Sequence, residues 1–186
     1  MTNTYLHNVT ITQPTGDPDK LRATIQPLYT EVYAEPPYEE GPAEIQEFVD
    51  RWNYQARQPG FRLVLAHDNM SGALIGFCFG YPLRATTRWW KGMLDSVDPA
   101  VTVEDGHRSF AIIELAVRAD RRREGIGRML HDTLLDGCDR PRAVLLARPE
   151  ATPALAAYAS WGYRNHGRLQ PGAQAPVYLA LTHDLT

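Results

Sequence analysis

Ile113-Glu114-Leu115-Ala116-Val117-Arg118-Ala119-Asp120-Arg121-Arg122-Arg123-Glu124-Gly125-Ile126-Gly127-Arg128-Met129-Leu130 carries an apolar, strand-like run into an Arg-rich turn with two glycines, then into an amphipathic helix. That order leaves free backbone N–H groups at a helix N-terminus beside several arginines. Such a place binds phosphate, because the orphan amides and the helix dipole both favour an anion. Glycines at 125 and 127 let the backbone approach a pyrophosphate with no Cβ in the way. Two familiar phosphate motifs do not fit. The loop Gly-x-x-x-x-Gly-Lys-Ser/Thr is absent, and the fingerprint Gly-x-Gly-x-x-Gly fails because its third glycine position holds Leu130. What remains is Arg-x-x-Gly-x-Gly, with Arg122, Gly125 and Gly127. Taken alone, Arg121-Arg122-Arg123 reads as a solvated face; the glycines at motif spacing favour the phosphate reading.

Elements can be placed on both sides of this stretch. Residues 5–13 alternate polar groups with Val9 and Ile11, a short strand pattern. Asp17-Pro18 starts a helix, with Asp as N-cap and Pro in the first turn, and Leu21, Ile25, Leu28 and Val32 form its apolar face. Gly41-Pro42 opens a second helix with Ile45, Phe48, Val49 and Trp52 at helical spacing. Phe61–Ala66 and Ala73–Tyr81 read as a hairpin joined through Asp68 to Gly72. Residues 82–108 read as a long irregular loop, a kind that is usually functional or mobile. Ser109–Val117 is a strand, 125–138 a helix, and Arg142–Ala147 another strand. Thr152-Pro153 reads as N-cap and first turn of a helix that runs through Tyr158 and ends at Gly162. Residues 163–168 and 176–182 finish as strands. The expected class is α/β (α+β), with a mixed sheet.

The whole chain narrows the field. At 186 residues it suits one domain. Hydrophobic residues are 44% and charged residues 22%, an ordinary globular balance, and the net charge of −3 speaks against nucleic acid as partner. No apolar run approaches a membrane span and no signal-peptide pattern opens the chain. Cys78 and Cys138 read as free thiols of a cytoplasmic protein. No Cys/His cluster has metal-ligand spacing, so no metal is expected.

At the turn the chain resembles the GNAT superfamily of acyl-CoA-dependent N-acetyltransferases. That family's first signature is a strand, then Gln/Arg-x-x-Gly-x-Gly/Ala, then a helix. Its second is a helix with a Tyr followed four residues later by Gly and an aromatic, matched here by Tyr158, Gly162 and Tyr163. Gly76 in the preceding hairpin also looks family-like, and the element order agrees over about residues 5–182. The resemblance implies one acetyltransferase domain over residues 1–186, with a mostly antiparallel sheet of about seven strands and about four helices. It implies acetyl-CoA as cosubstrate. The pyrophosphate would lie on the backbone of Arg123, Glu124, Gly125, Ile126, Gly127 and Arg128, supported by Arg122. The pantetheine arm would pair with Leu115, Ala116 and Val117, and Tyr158 would protonate the leaving thiolate. Many members have an Asn near the start of the Tyr-bearing helix; this chain has Thr152-Pro153.

Acetyl transfer to an amine also needs a neutral amine and a polarised carbonyl. A backbone N–H near Val117 can polarise the carbonyl. Glu114 is the candidate base, directly or through water, with Glu104, Asp105 and His107 as weaker candidates. Glu114 reads equally well as a structural strand residue. The acceptor side draws on Tyr33, Glu35, Tyr38, Glu39, Glu40, Trp52, Tyr81, Trp89, Trp90, Asp95 and Asp98. Among these, Glu35, Tyr38, Trp89 and Trp90 are the named substrate candidates, though both tryptophans read equally as core or dimer-interface packing. Carboxylates with aromatics suit a cationic amine. The expectation is a small-molecule primary amine as partner, with no nucleic acid and no membrane, and a homodimer left open. A protein acetyltransferase and a non-catalytic acyl-CoA-binding domain are the alternatives.

Overall fold

The computed structural model describes residues 8–185. Seven strands form one mostly antiparallel sheet in the order β1-β2-β3-β4-β5-β7-β6: β1 Val9–Thr12, β2 Arg62–Asp68, β3 Leu74–Pro82, β4 Ser109–Val117, β5 Arg142–Ala147, β6 Arg164–Leu169 and β7 Tyr178–Asp184. Five helices accompany them: α1 Pro18–Tyr33, α2 Pro42–Gln55, α3 Pro99–Thr102, α4 Ile126–Leu135 and α5 Thr152–Ser160. The expected class and sheet are borne out. By contact the chain divides into two compact units. The first holds residues up to Tyr81 together with Glu114–Asp136, and the second holds Pro82–Ile113 and everything from Gly137 on.

In the first unit, β2 and β3 form the expected hairpin, with Leu63 opposite Phe79 and Leu65 opposite Phe77. The Asp68 carboxylate accepts from the Met70 and Ser71 N–H groups and closes the turn. β1 adds along β2 with Ile11 opposite Ala66. The start of α1 is as expected: Asp17 accepts the Asp19 N–H at 2.8 Å and Pro18 stands in the first turn. Gly41 supplies no side chain at the start of α2, and its own N–H donates to Glu44 at 2.9 Å instead. Aromatic packing joins the two helices. Tyr29 stacks on Phe48 at 3.8 Å, and Trp52 meets Phe79 edge-to-face at 5.1 Å. Trp52 lies fully buried because its indole N–H reaches the Pro18 carbonyl; a buried polar group needs such a partner.

Helix α4 buries Ile126, Leu130 and Leu134, one side of three successive turns. Arg62 donates to the Leu134 and Asp136 carbonyls, placing a cation on the C-terminal end of that helix where the dipole favours it. Its inner face comes very close to β3. A Cβ at Gly76 would stand 2.9 Å from Leu130 Cδ1 and 3.1 Å from the Ala116 carbonyl oxygen.

In the second unit, the parallel ladder between β4 and β5 covers three pairs, Ser109–Ala111 against Arg142–Val144. β5 then pairs along its whole length with β7. A buried polar group anchors this half. Arg142 donates to Glu104 at 2.7 Å and to Ser109, Trp90 Nε1–H donates to Glu104, and the guanidinium lies over the Trp90 ring.

Several boundaries differ from the sequence reading. Residues 82–108 contain the one-turn helix α3, capped by Asp98, which brings the helix count to five. The helix expected to Cys138 ends at Leu135, and Gly137 follows with a left-handed φ of 61°. Ala151, not Thr152, is the N-cap of α5 and makes no side-chain bond there. Residues 5–7 of the first expected strand lie outside the described residues.

Gly76→Ala is expected to destabilise the protein by roughly 1–3 kcal/mol, since Leu130 can rotate away but the Ala116 carbonyl cannot. A urea midpoint unchanged from wild type would show that β3 and α4 have slack.

Candidate active site

The candidate residues fall into two groups, each within one unit. The larger surrounds the end of β4 in the first. A single 3-10 turn, Ala119–Arg121, follows β4, then Arg123 at φ 70° and Gly125 at φ 84° turn the chain into α4. Gly125 is the N-cap, so no side chain there accepts the first amides of α4. A Cβ at Gly125 would meet nothing within 4 Å. Backbone N–H groups at the start of a helix, beside a residue with no side chain, are the kind of donor set a phosphate needs, so the residues present fit the pyrophosphate of an acyl-CoA.

The three arginines divide the work. Arg121 is mostly buried; it donates to Asp68 and pairs with Glu124, tying the turn to the β2–β3 hairpin. Arg122 is half exposed. Its Nε–H donates to the Val117 carbonyl at 3.1 Å, and its Nη2 stands 2.8 Å from Glu35. Arg123 is exposed, and Arg128 pairs with Asp132 one turn along α4. Glu35, expected on the acceptor side, is therefore held against the glycine turn. Ala116 is buried on β4, between half-buried Leu115 and Val117.

Glu114 lies on the same strand, half-buried. The Tyr33 hydroxyl donates to Glu114 Oε2 at 2.5 Å. Tyr33 ends α1 and sits in a row of rings, stacked on Tyr29 at 4.3 Å and edge-on to Tyr38 at 4.8 Å. The Tyr29 hydroxyl in turn donates to Glu40 at 2.8 Å. Burial pushes the Glu114 carboxyl up to about 7; the Tyr33 hydrogen bond and Arg51 act against this, and Glu40 adds to it. Burial and the Glu114 charge hold the Tyr33 phenol well above its ordinary value. Tyr33 therefore stays a donor at neutral pH. The sequence placed Tyr33 and Glu40 near the acceptor but not on Glu114; a contact 81 residues apart in the chain leaves no local signal.

The second group belongs to the other unit. Tyr158 lies on α5 with its ring edge-on to Trp161 at 5.4 Å and to Tyr163 at 5.5 Å. The motif glycine, Gly162, takes a φ of 90° just past Trp161, the C-cap of α5. The acids of residues 82–108 all have partners: Asp95 holds Arg168, Asp98 caps α3, Glu104 holds Arg142, and Asp105 accepts the His107 N–H. Arg168 lowers the Asp95 carboxyl to about 2. Trp90 is buried on Glu104 and Arg142, while Trp89 is half-buried. No group of three or more His, Cys, Asp or Glu able to hold a metal occurs among the described residues. No helix among them is long and apolar enough to cross a membrane.

The model of the acetyltransferase (GNAT) family matches residues 21–163, and the chain belongs to that family. No curated protein sequence matches it. An acetyltransferase from Streptococcus agalactiae is similar in structure, with a TM-score of 0.65 at 13% identity, covering 97% of this chain and all of that one. NAA60 of Arabidopsis thaliana, solved with a bisubstrate analogue, has a TM-score of 0.60 at 17% identity, covering 94% of this chain and 98% of the other. A variant spermidine N-acetyltransferase from Vibrio cholerae has a TM-score of 0.56 at 16% identity, covering 94% and 93%. Such identities speak for the fold. The family uses acetyl-CoA.

Glu114 gives a signed pH dependence. The folded carboxyl titrates near 7, against 4.5 for the ordinary group, so between those values the folded state binds the extra proton. Stability falls as pH rises through that window. Thermal melts at pH 5 and pH 8 are expected to show the loss in wild type and a smaller loss in Glu114→Gln. Equal losses would mean that Glu114 titrates normally.

Proposed function

We propose that this protein is a cytoplasmic N-acetyltransferase of one domain over residues 1–186. It moves an acetyl group from acetyl-CoA to a primary amine of a small molecule, by direct attack in a ternary complex. The observation that carries this reading is the place of Glu114: a half-buried carboxyl, held by the Tyr33 hydroxyl, on the strand that runs into the glycine turn, where burial pushes it up to about 7. A base with that value can accept a proton from an ammonium group and release it again at pH 7.

Each residue then has a part. The amides from Arg123 to Arg128 and the Arg122 guanidinium hold the pyrophosphate. The backbone of Leu115, Ala116 and Val117 pairs with the pantetheine arm like an added strand, and an N–H near Val117 polarises the thioester carbonyl. Acetyl-CoA supplies the activated acetyl group. Glu114 takes the ammonium proton, the amine nitrogen bonds to the carbonyl carbon, the C–S bond breaks, Tyr158 gives its phenol proton to the thiolate, and the second proton lost by the acylated nitrogen restores the phenol. Tyr158 enters through the family motif. Tyr38 and Glu40, on the segment after α1, favour a cationic amine.

Thiol release from acetyl-CoA over a panel of primary amines and peptides tests the reading. Turnover on a small amine is expected, falling about 100-fold in Glu114→Gln, with the acid limb of the pH–rate profile gone. Thermal stabilisation by CoA with no thiol release on any acceptor would overturn it.

Glu35 and Arg122 give a separate test. Because they pair, Glu35→Ala is expected to change KM for acetyl-CoA, as Arg122→Ala does. An effect of Glu35→Ala on the amine KM alone would place Glu35 in the acceptor site.

A further inference from the structure

We propose that Tyr33 is the positioning residue of Glu114: its phenol O–H fixes Oε2 and so orients the carboxylate to take the acceptor's proton through its other oxygen. This rests on the reading of Glu114 as the base. Three features of the geometry support it. The donor comes from the last residue of α1, so the helix end sets where the hydroxyl stands. The Tyr33 ring is clamped between Tyr29 and Tyr38, so the hydroxyl has little freedom to leave. Tyr33 is only 8% exposed, so water competes weakly for the bond.

Groups from several elements surround Glu114. From α1 come Tyr29 and Tyr33. The segment after α1 brings Tyr38 and Glu40, α2 brings Arg51, and β3 brings Cys78, whose thiol burial and the Glu114 charge push up. Tyr29, Tyr33 and Cys78 are thereby kept in their neutral forms. Hydrogen-bond donation stabilises the carboxylate, and Arg51 does the same through its charge, whereas Glu40 opposes it. Tyr33 therefore keeps more of Glu114 ionised at neutral pH than burial alone would allow. Without its hydroxyl the carboxyl would hold its proton to higher pH.

The test is a carbon-13 carboxyl NMR titration of the free protein, with Glu114 assigned by its absence in Glu114→Gln. Tyr33→Phe, which keeps the ring, is expected to raise the Glu114 midpoint by roughly half a pH unit or more. Glu40→Gln, on a half-exposed side chain, is expected to lower it. The acid limb of the pH–rate profile moves in the same directions, with rate lost in Tyr33→Phe near pH 7 and recovered at higher pH. A merely structural Tyr33 would lower activity equally at every pH. A midpoint unmoved in Tyr33→Phe overturns the positioning role. If Glu114→Gln leaves the acid limb intact, the base reading fails instead, whatever the titration gives.

Discussion

The close approach of α4 to β3 is the constraint on which the site depends. Where Gly76 faces Leu130, Ile126 and the Ala116 carbonyl, there is no room for a methyl group. That seating holds the start of α4 against the hairpin, one short turn after the strand carrying Leu115, Ala116 and Val117. Arg121 reinforces it from the other side through Asp68, whose carboxyl the turn amides and the guanidinium hold well below its ordinary range. The turn between β4 and α4 is thus held from two sides, and a turn held in place loses little freedom when its amides take up a ligand.

Charge is handled differently in the two units. In the second, the acids of the long segment before β4 pair with cations or with backbone N–H groups, and burial of Glu104 is matched by Arg142. Breaking such a buried pair is costly because the remaining charge is stranded. In the first, Glu114 receives a phenol rather than a cation as its close partner. A phenol satisfies the oxygen without neutralising it. Burial therefore still pushes this carboxyl up to about 7, with the phenol acting only partly against it.

Much of the fold was legible from local pattern. The Asp17-Pro18 start, the β2–β3 hairpin, and the limits of β4 and β5 follow from capping, turn chemistry and apolar runs, all short-range effects. The misplacements have the same origin. Gly137 could be read as a stop only once the chain was seen to turn there, and α3 is a single turn held by Asp98 in a segment with no periodicity. Of the site, the glycine turn was legible because its chemistry lies within six residues. The partners of Glu35, Trp90 and Glu114 were not, because each lies far along the chain.

The sequence by itself determined the family-like turn, the order of elements, and which residue types were available near it, since backbone amides and glycine freedom are local properties. Only the tertiary structure decided what each side chain does. It assigned Arg121 to the hairpin and Arg122 to Val117 and Glu35. It buried Trp90 against a guanidinium, and it placed a tyrosine hydroxyl on Glu114. A carboxylate's proton affinity depends on its burial and on the donors around it, and those are set by packing between segments distant in the chain.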